Sequence, residues 1–140
     1  MQESLQSRQF QPFSRYGNCV ALDPNCLFCR IISGEIPAEI VFRNESVVAF
    51  NDIDPQAPTH VLIVPTVHVE TAGDLARMSP AITAAMFTTA VEIAEMRGVT
   101  GYRTVFNTGV EAGQSVFHAH LHLLGGRALA WYLEKKFYQE

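Results

Sequence analysis

The chain has 140 residues, of which 48% are hydrophobic, and its formal net charge at pH 7 is −4. That length predicts one domain with enough apolar surface for a single core. The lack of a basic cluster argues against a nucleic-acid-binding surface. No apolar run approaches a membrane span, the N-terminus has no signal-peptide stretch, and three cysteines are not a secreted disulfide framework. We therefore expect a cytoplasmic protein without nucleic-acid or membrane partners.

The order of the predicted elements indicates an α+β fold. Residues 1–25 show no periodicity and are expected to form a flexible N-terminal arm. The elements predicted after the arm are a short helix over Cys26–Ser33, a hairpin of strands 39–43 and 47–51, a central strand over 60–64, a long helix from Ser79 to Gly98, and strands 102–107 and 119–124. Ser79 supplies an N-cap and Pro80 suits the first turn of the long helix. Several strands around one long helix favour an antiparallel sheet.

Three of the five histidines stand at alternate positions in one short segment. Side chains of a strand point to opposite faces in turn, so His118, His120 and His122 would share one face. The apolar residues that alternate with them, from Phe117 to Leu123, would share the other face and bury it against the core. This arrangement would hold three imidazoles in a fixed row.

The loop directly upstream, residues 107–115, contains Gly109 and Gly113. Glycines let backbone N–H groups converge on an anion, and Asn107 and Ser115 add neutral donors. A phosphate held there would lie beside imidazoles, which attack, donate protons or bind metals near neutral pH. The alternative reading is a plain β-turn followed by a half-exposed strand.

Cys26 and Cys29 form a Cys-x-x-Cys pair at the start of the predicted short helix. Two sulfurs with this spacing can lie on one side of a helical turn, where they suit zinc at about 2.3 Å from each. A redox pair would need the βαβ pattern of a thioredoxin-like motif, which is missing here. The pair could equally be two small buried residues, and the spacing alone does not decide between zinc and packing.

Taken together, these segments resemble the histidine triad (HIT) family. Three alternating histidines followed by two apolar positions match the family signature at residues 118–124, and residues 26–37, 49–53 and 57–65 are similar to its opening helix and nucleoside-binding strands. Gly125-Gly126-Arg127 and Trp131 resemble the Hint branch, the purine nucleoside phosphoramidases. The resemblance implies a HIT-like fold: an antiparallel five-stranded sheet with one long and one short helix. It places the HIT domain at residues 26–131 and leaves 132–140 as a C-terminal extension.

The resemblance also implies a two-step reaction through a covalent nucleotidyl-histidine. His120 would attack the α-phosphorus of a purine nucleoside 5′-phosphoramidate or an acyl-nucleotidylate. His122 would donate to the phosphate oxygens and the departing atom, and His60 would complete the cluster. Because neighbouring like charges disfavour ionisation, we expect one neutral nucleophile beside one protonated donor.

The nucleotide-binding positions follow from the same resemblance. Asp52 would hold the ribose hydroxyls. The residues that would line the base pocket are Phe28, Ile31, Phe50 and Ile53, and those that would contact the phosphate are Asn107, Gly113, Gln114 and Ser115. Phe28, Ile31 and Phe50 could equally be plain core residues.

Family members with the cysteine pair bind a structural zinc through it and two histidines, which correspond to His68 and His118. They are homodimers that join two sheets into a continuous ten-stranded sheet, and the broad apolar surface of the long helix agrees with a partner across a two-fold axis. Trp131 would reach toward the partner's active site. The chain continues after Trp131, unlike the branch pattern. The resemblance therefore does not define the leaving-group pocket or the preferred substrate.

Three other functions are compatible with these residues. A dinucleoside polyphosphate hydrolase usually has proline and arginine where this chain has Gly125-Gly126-Arg127. A non-catalytic nucleotide-binding dimer would have lost its substrate while keeping His120 and Ser115. A catalytic zinc site in the triad would leave Cys26 and Cys29 unexplained.

Overall fold

The structure is a computed structural model and describes residues 22–131. Most of the predicted flexible arm and all of the C-terminal extension lie outside the described residues. The elements are α1 (Leu27–Ile32), β1 (Ile40–Arg43), β2 (Val47–Asn51), β3 (Thr59–Pro65), α2 (Ala72–Met78), α3 (Pro80–Met96), β4 (Tyr102–Phe106), a 3-10 turn (Val110–Ala112) and β5 (Leu121–Gly125).

The strands form one five-stranded antiparallel sheet in the order β1-β2-β3-β5-β4, which confirms the predicted fold class. The Asn44 side chain closes the β1–β2 hairpin by accepting hydrogen bonds from the backbone N–H groups of Ser46 and Val47. β5 lies between β3 and β4, so the strand with the last histidine of the triad is flanked on both sides. This position gives His122 a fixed place in the middle of the sheet.

The two faces of the sheet are covered by different helices. One cluster of buried residues joins alternate positions of β2, β3 and β5 to α2 and α3. A second cluster joins the other positions of β2 and β3 to α1. Because Leu121 and Leu123 belong to the first cluster, His122 points to the α1 face, as strand alternation requires.

Two details of the sequence prediction are wrong. β5 begins at Leu121 rather than at 119, so His118 and His120 lie in the preceding irregular segment, and Phe117 is 41% exposed instead of buried with the apolar face. The predicted single long helix is preceded by the seven-residue helix α2, of which only Leu75 is buried. A helix with so short an apolar face gives no periodic signal in the sequence.

No helix within residues 22–131 combines the length and the apolar character that a membrane crossing needs.

Candidate active site and metal centre

The structure divides the histidine triad between two groups. The rings of His120 and His122 have their centroids 5.0 Å apart, and the ring of His60, from β3, lies 5.2 Å from that of His122. His118 instead lies 5.1 Å from His68, ring centroid to ring centroid. The sequence prediction of one row of imidazoles therefore resolves into a cluster of three (His60, His120 and His122, here the imidazole cluster) and a separate pair.

His120 has one ring nitrogen committed to the backbone. Its Nδ1 lies 2.7 Å from the carbonyl oxygen of His118. Since a carbonyl oxygen only accepts, the neutral ring carries its proton on Nδ1 and keeps the lone pair on Nε2. The nitrogen that the sequence analysis required as a nucleophile is therefore Nε2.

Hydrogen bonds also determine where the protons of the other two imidazoles lie. The backbone N–H of Gln56 donates to His60 Nδ1 at 3.0 Å, so the neutral ring of His60 carries its proton on Nε2. That Nε2 lies 2.9 Å from His122 Nδ1, which must then accept and leave the proton of His122 on Nε2. Within the described residues His122 Nε2 is a buried atom without a hydrogen-bond partner. Such an orphaned donor is expected where a ligand supplies the acceptor.

Burial keeps all four of the inner histidines neutral. Desolvation is the largest cause of the shift in each case. It lowers the pKa of His60 and His120, and it lowers the pKa of His118 and His122 to about 4. The nearby imidazoles lower the pKa of His122 further, while Asp52 opposes the shift. This corrects the expectation of a protonated donor: at neutral pH the donor in the free protein is a neutral imidazole N–H.

The second group consists of two cysteines and two histidines. One ligand atom from each of Cys26, Cys29, His68 and His118 lies within 4.8 Å of all the others. Sγ of Cys29 is 3.3 Å from His68 Nδ1 and 3.4 Å from His118 Nδ1, and Sγ of Cys26 is 3.5 Å from His118 Nδ1. A tetrahedron with the usual zinc–sulfur and zinc–nitrogen lengths has sulfur–nitrogen edges of about 3.5 Å, close to these separations.

The protonation of His118 suits this metal site. Its Nε2 lies 2.9 Å from the Pro65 carbonyl, so Nε2 carries the proton and Nδ1 presents its lone pair to the two sulfurs. Burial raises the pKa of the Cys29 thiol to about 12, so the thiolate needs a cation to compensate it. The residues therefore fit a Cys2His2 zinc site.

A different group, Asp52, His60 and His122, is also close enough to surround a cation. A metal on His60 Nε2 would need the ring proton on Nδ1, where the backbone N–H of Gln56 already points. The hydrogen bonding therefore argues against a metal bound to His60 in the imidazole cluster. Among residues 22–131 the three histidines of the triad do not form one such group, which argues against the catalytic zinc considered from the sequence.

Gln114 and Gly113 serve the loop itself. The Gln114 side chain is 3% exposed, accepts from Gly109 N–H at 2.9 Å, and donates to the carbonyls of Glu70 and Val116 at 2.7 and 3.1 Å. Gly113 adopts a left-handed φ of 92°, and its N–H donates to Val110 O. In the ligand-free protein these groups hold the loop in shape, and the predicted phosphate contacts of Gln114 and Gly113 stay predictions. Ser115 is exposed and Asn107 is half-buried.

The predicted nucleoside residues fall into two sets. Phe28, Ile31 and Phe50 are at most 8% exposed, and the edge of the Phe28 ring faces His120 with centroids 5.0 Å apart. Phe28 therefore packs against the imidazole cluster, while Phe50 packs against Phe28 and Ile31 belongs to the same buried cluster. Asp52 and the fully exposed Ile53 instead line, with His60, an open cleft of about 770 Å³.

Three groups next to the site were missed from the sequence. They are the carbonyl of Pro65, the backbone N–H of Gln56, and Arg127, whose Nη2 donates to the Gln56 carbonyl at 2.7 Å. Backbone groups carry no signal in side-chain identity. Arg127 does carry one, because it ends the Gly-Gly-Arg segment that the resemblance singled out.

The geometry defines a histidine-cluster protein with a buried imidazole whose Nε2 keeps its lone pair, and with a separate group of two cysteines and two histidines that could hold a metal ion. The HIT domain model matches residues 33–129, within the predicted domain, and the chain belongs to the HIT family. It is 45% identical over 112 residues to the purine nucleoside phosphoramidase of Escherichia coli K12, covering 79% of this chain and 94% of that protein.

Solved structures agree with this assignment. A HIT family hydrolase from Legionella pneumophila superposes with a TM-score of 0.74 at 48% identity, covering 76% of this chain and 97% of that one. A HIT family hydrolase from Clostridium thermocellum gives a TM-score of 0.74 at 42% identity, covering 77% and 96%. The fold and the hydrolase relatives confirm the family expected from the sequence.

Proposed function

We propose that the protein hydrolyses purine nucleoside 5′-phosphoramidates, or acyl-nucleotidylates, through a nucleotidyl-histidine intermediate on His120. The observation that carries the proposal is the hydrogen bond from His120 Nδ1 to the His118 carbonyl, which leaves Nε2 as the nucleophile. The similarity to the phosphoramidase of E. coli supports the choice of substrate class.

In the first step, the lone pair of His120 Nε2 attacks the α-phosphorus and the phosphorus–nitrogen bond to the leaving group breaks. His122 Nε2–H gives its proton to the departing nitrogen, which would otherwise leave as an unstable anion. The His122 ring is then an imidazolate, which the hydrogen bond from His60 Nε2 and the positive charge on the phosphorylated His120 ring compensate until the second step returns the proton. In the second step, water attacks the phosphorus, its proton passes to His122 Nε2, and the bond to His120 breaks. His60 holds His122 in the required tautomer throughout.

The remaining contacts fix the substrate. We assign the phosphate contacts to Ser115, which is exposed in the loop before the imidazole cluster, and to Asn107, which directly follows β4. Oδ2 of Asp52 lies 3.4 Å from His60 Nε2, at the cleft where the ribose would bind. Fixed donors at the phosphate stabilise the charge that develops on its oxygens in the transition state.

A zinc ion would be held by Cys26, Cys29, His68 and His118, where it contributes folding free energy rather than chemistry. The cytoplasm, our expected location, keeps such thiols reduced. Fractionation of cells expressing the full chain would test that location, and recovery of the protein outside the cytoplasm would contradict it.

The protein would act as a homodimer. Phe87 and Val91 of α3 and Tyr102 of β4 are large apolar residues that are 43%, 41% and 39% exposed. Phe87 and Val91 lie one turn apart, and β4 is an edge strand of the described sheet. Pairing two β4 strands across a two-fold axis would cover these residues and produce the ten-stranded sheet.

The test is hydrolysis of adenosine 5′-phosphoramidate by the wild type and by His120→Ala, with AMP release and adenylylated protein both measured. We expect release and a mass increase of one adenylyl group in the wild type and neither in the variant. Wild-type release without any adenylylated protein, under conditions that trap the intermediate, would contradict the covalent route. Turnover of diadenosine polyphosphates alone would favour the alternative hydrolase.

A further inference from the structure

The Gly125-Gly126-Arg127 segment brings β5 back against the loop that precedes β3. Gly126 has a φ of 94°, and a Cβ built on it would lie 2.9 Å from Pro58 Cβ. Only glycine allows this backbone conformation and this approach together. The next residue, Arg127, therefore lies against the loop of residues 52–58.

Arg127 clamps that loop through its guanidinium group. Nη2 donates to the carbonyl of Gln56 at 2.7 Å, and Nη1 donates to the carbonyl of Ala128 at 2.9 Å. The bond to Ala128 fixes the orientation of the guanidinium group against the backbone of its own segment. The group is thereby directed at Gln56, which is 71 residues away in the sequence. A hydrogen bond from a charged donor is stronger than one between neutral groups.

Gln56, whose carbonyl accepts from Arg127, also determines which ring nitrogen of His60 carries the proton. Gln56 donates its backbone N–H to His60 Nδ1, and its side chain donates to the Asp54 carbonyl at 3.0 Å. Asp54 N–H in turn donates to Asp52 Oδ1 at 2.8 Å. Hydrogen bonds within the loop therefore connect Gln56 to Asp52 through Asp54, and Arg127 ties Gln56 to the segment after β5.

Without the Gln56 N–H, His60 is free to carry its proton on Nδ1. His60 Nε2 would then accept from His122 Nδ1, and the Nε2 of His122 would hold a lone pair instead of a proton. The imidazole cluster would keep the same number of protons, but none would face the leaving group. One backbone N–H thus decides whether a proton donor exists.

We propose that Arg127 is a positioning residue that, through Gln56, fixes the tautomers of His60 and His122 and so supplies the leaving-group proton. The role in leaving-group protonation rests on the proposed function. The effect on the tautomer does not, because it follows from the hydrogen bonds of the free protein.

The first experiment reads the tautomer directly. Long-range proton–nitrogen NMR correlations of the imidazoles are compared in the wild type, Arg127→Ala and Arg127→Lys, all with zinc supplied. We expect His60 to be protonated on Nε2 in the wild type, to become a mixture in Arg127→Ala, and to be largely restored in Arg127→Lys. An unchanged His60 tautomer in Arg127→Ala overturns the proposal, whatever the activity.

The matched control is Arg43→Ala. Arg43 also donates from its guanidinium group to a backbone carbonyl, that of Ile32, at 3.0 Å, but on the β1 side of the molecule. We expect this variant to keep the wild-type tautomer and the wild-type kcat. A loss of the tautomer in Arg43→Ala as well would show a general loosening of the fold and would overturn a specific role for Arg127.

The second experiment separates protonation from binding. The single-turnover rate of protein adenylylation is measured with an alkylamine phosphoramidate of adenosine and with the 4-nitrophenyl ester of AMP, whose leaving group needs no proton. For Arg127→Ala we expect a loss of roughly 10-fold with the amine and less than about 3-fold with the ester, because only the former uses the general acid. Equal losses would overturn the proposal. If the wild type reacts with neither, the proposed function fails, while the NMR result still decides the tautomer.

Discussion

Gln114 and Ser115 are neighbours in the loop before the imidazole cluster, but their surroundings differ. The Gln114 amide is buried and bonded on both sides to the backbone, whereas Ser115 is exposed next to the place where the phosphate would bind. Sequence position alone gave both residues the same predicted role. Their hydrogen bonds assign one to the loop and leave the other available to a ligand.

Substitution should therefore separate stability from activity at these two positions. Ser115→Ala should change the free energy of unfolding by less than about 0.5 kcal/mol, since the residue is exposed, yet lower kcat by roughly 10- to 100-fold. Gln114→Ala should lower the free energy of unfolding by about 2 kcal/mol or more, because three backbone groups lose a buried partner. Urea unfolding and steady-state kinetics measure both. A Ser115→Ala variant with full kcat would contradict the phosphate role.

At the scale of elements, Ser79 connects two helices. It is the C-cap of α2 and the N-cap of α3, its hydroxyl accepts from Ile82 N–H at 3.1 Å, and it is 1% exposed. The Ser79→Ala variant should lose about 1–2 kcal/mol of unfolding free energy, at the upper end because no water can replace the cap. Thr88→Ala, on the exposed side of α3, is the control and should be nearly neutral. Equal losses in both variants would show that the cap is not the cause.

The elements with strong local signals could be predicted from the sequence. Ser79 and Pro80 marked the start of α3, and the alternation around Leu121 and Leu123 gave the buried face of β5. α2 could not be predicted, because one buried leucine in seven residues leaves no period.

The residues of the candidate site could be predicted from the sequence, but the positions of the protons on its imidazole rings could not. The sequence brought His60, His120 and His122 together, and the structure shows them in contact. Which nitrogen holds the proton depends on backbone groups such as the Pro65 carbonyl, which is 53 residues away from His118. Burial lowers the pKa of His60, His118, His120 and His122, which side-chain type alone could not show.

The whole molecule should dimerise through α3 and β4. Val91→Glu would place a charge in the covered surface, so sedimentation velocity should shift from dimer to monomer. The matched control is Val110→Glu, because Val110 is 75% exposed in the 3-10 turn and outside the proposed interface. A wild-type protein that sediments as a monomer at micromolar concentration, or a Val91→Glu variant that remains dimeric, would contradict this interface.

Metal content tests the second group of the site. The purified wild type should contain about one tightly bound zinc per chain, and Cys26→Ser should lose it together with stability. Cys19→Ser is the control, because nothing in the sequence assigns Cys19 to the site. Elemental analysis combined with thermal unfolding, before and after a chelator, distinguishes the variants. Full zinc content in Cys26→Ser would contradict the assignment of this ligand.

The depressed histidine pKa values predict how stability depends on pH. The unfolded chain takes up a proton on histidine near pH 6.5, whereas buried His118 does so only near its pKa of about 4. Stability is therefore full above pH 6.5 and falls as the pH drops toward 4, since the unfolded state binds more protons in that window. From His118 alone, the metal-free protein should lose about 2 kcal/mol of unfolding free energy between pH 8 and pH 5.

His122 shifts in the same direction, so replacing it by glutamine should make this dependence shallower while His118 still contributes. Urea unfolding at several pH values measures the slope in both proteins. Zinc removal before the measurement keeps metal release from adding its own pH dependence. A flat profile from pH 8 to pH 5 would mean that these rings are solvated or already charged in the native state. The neutral proton chain from Gln56 to His122 could not then exist.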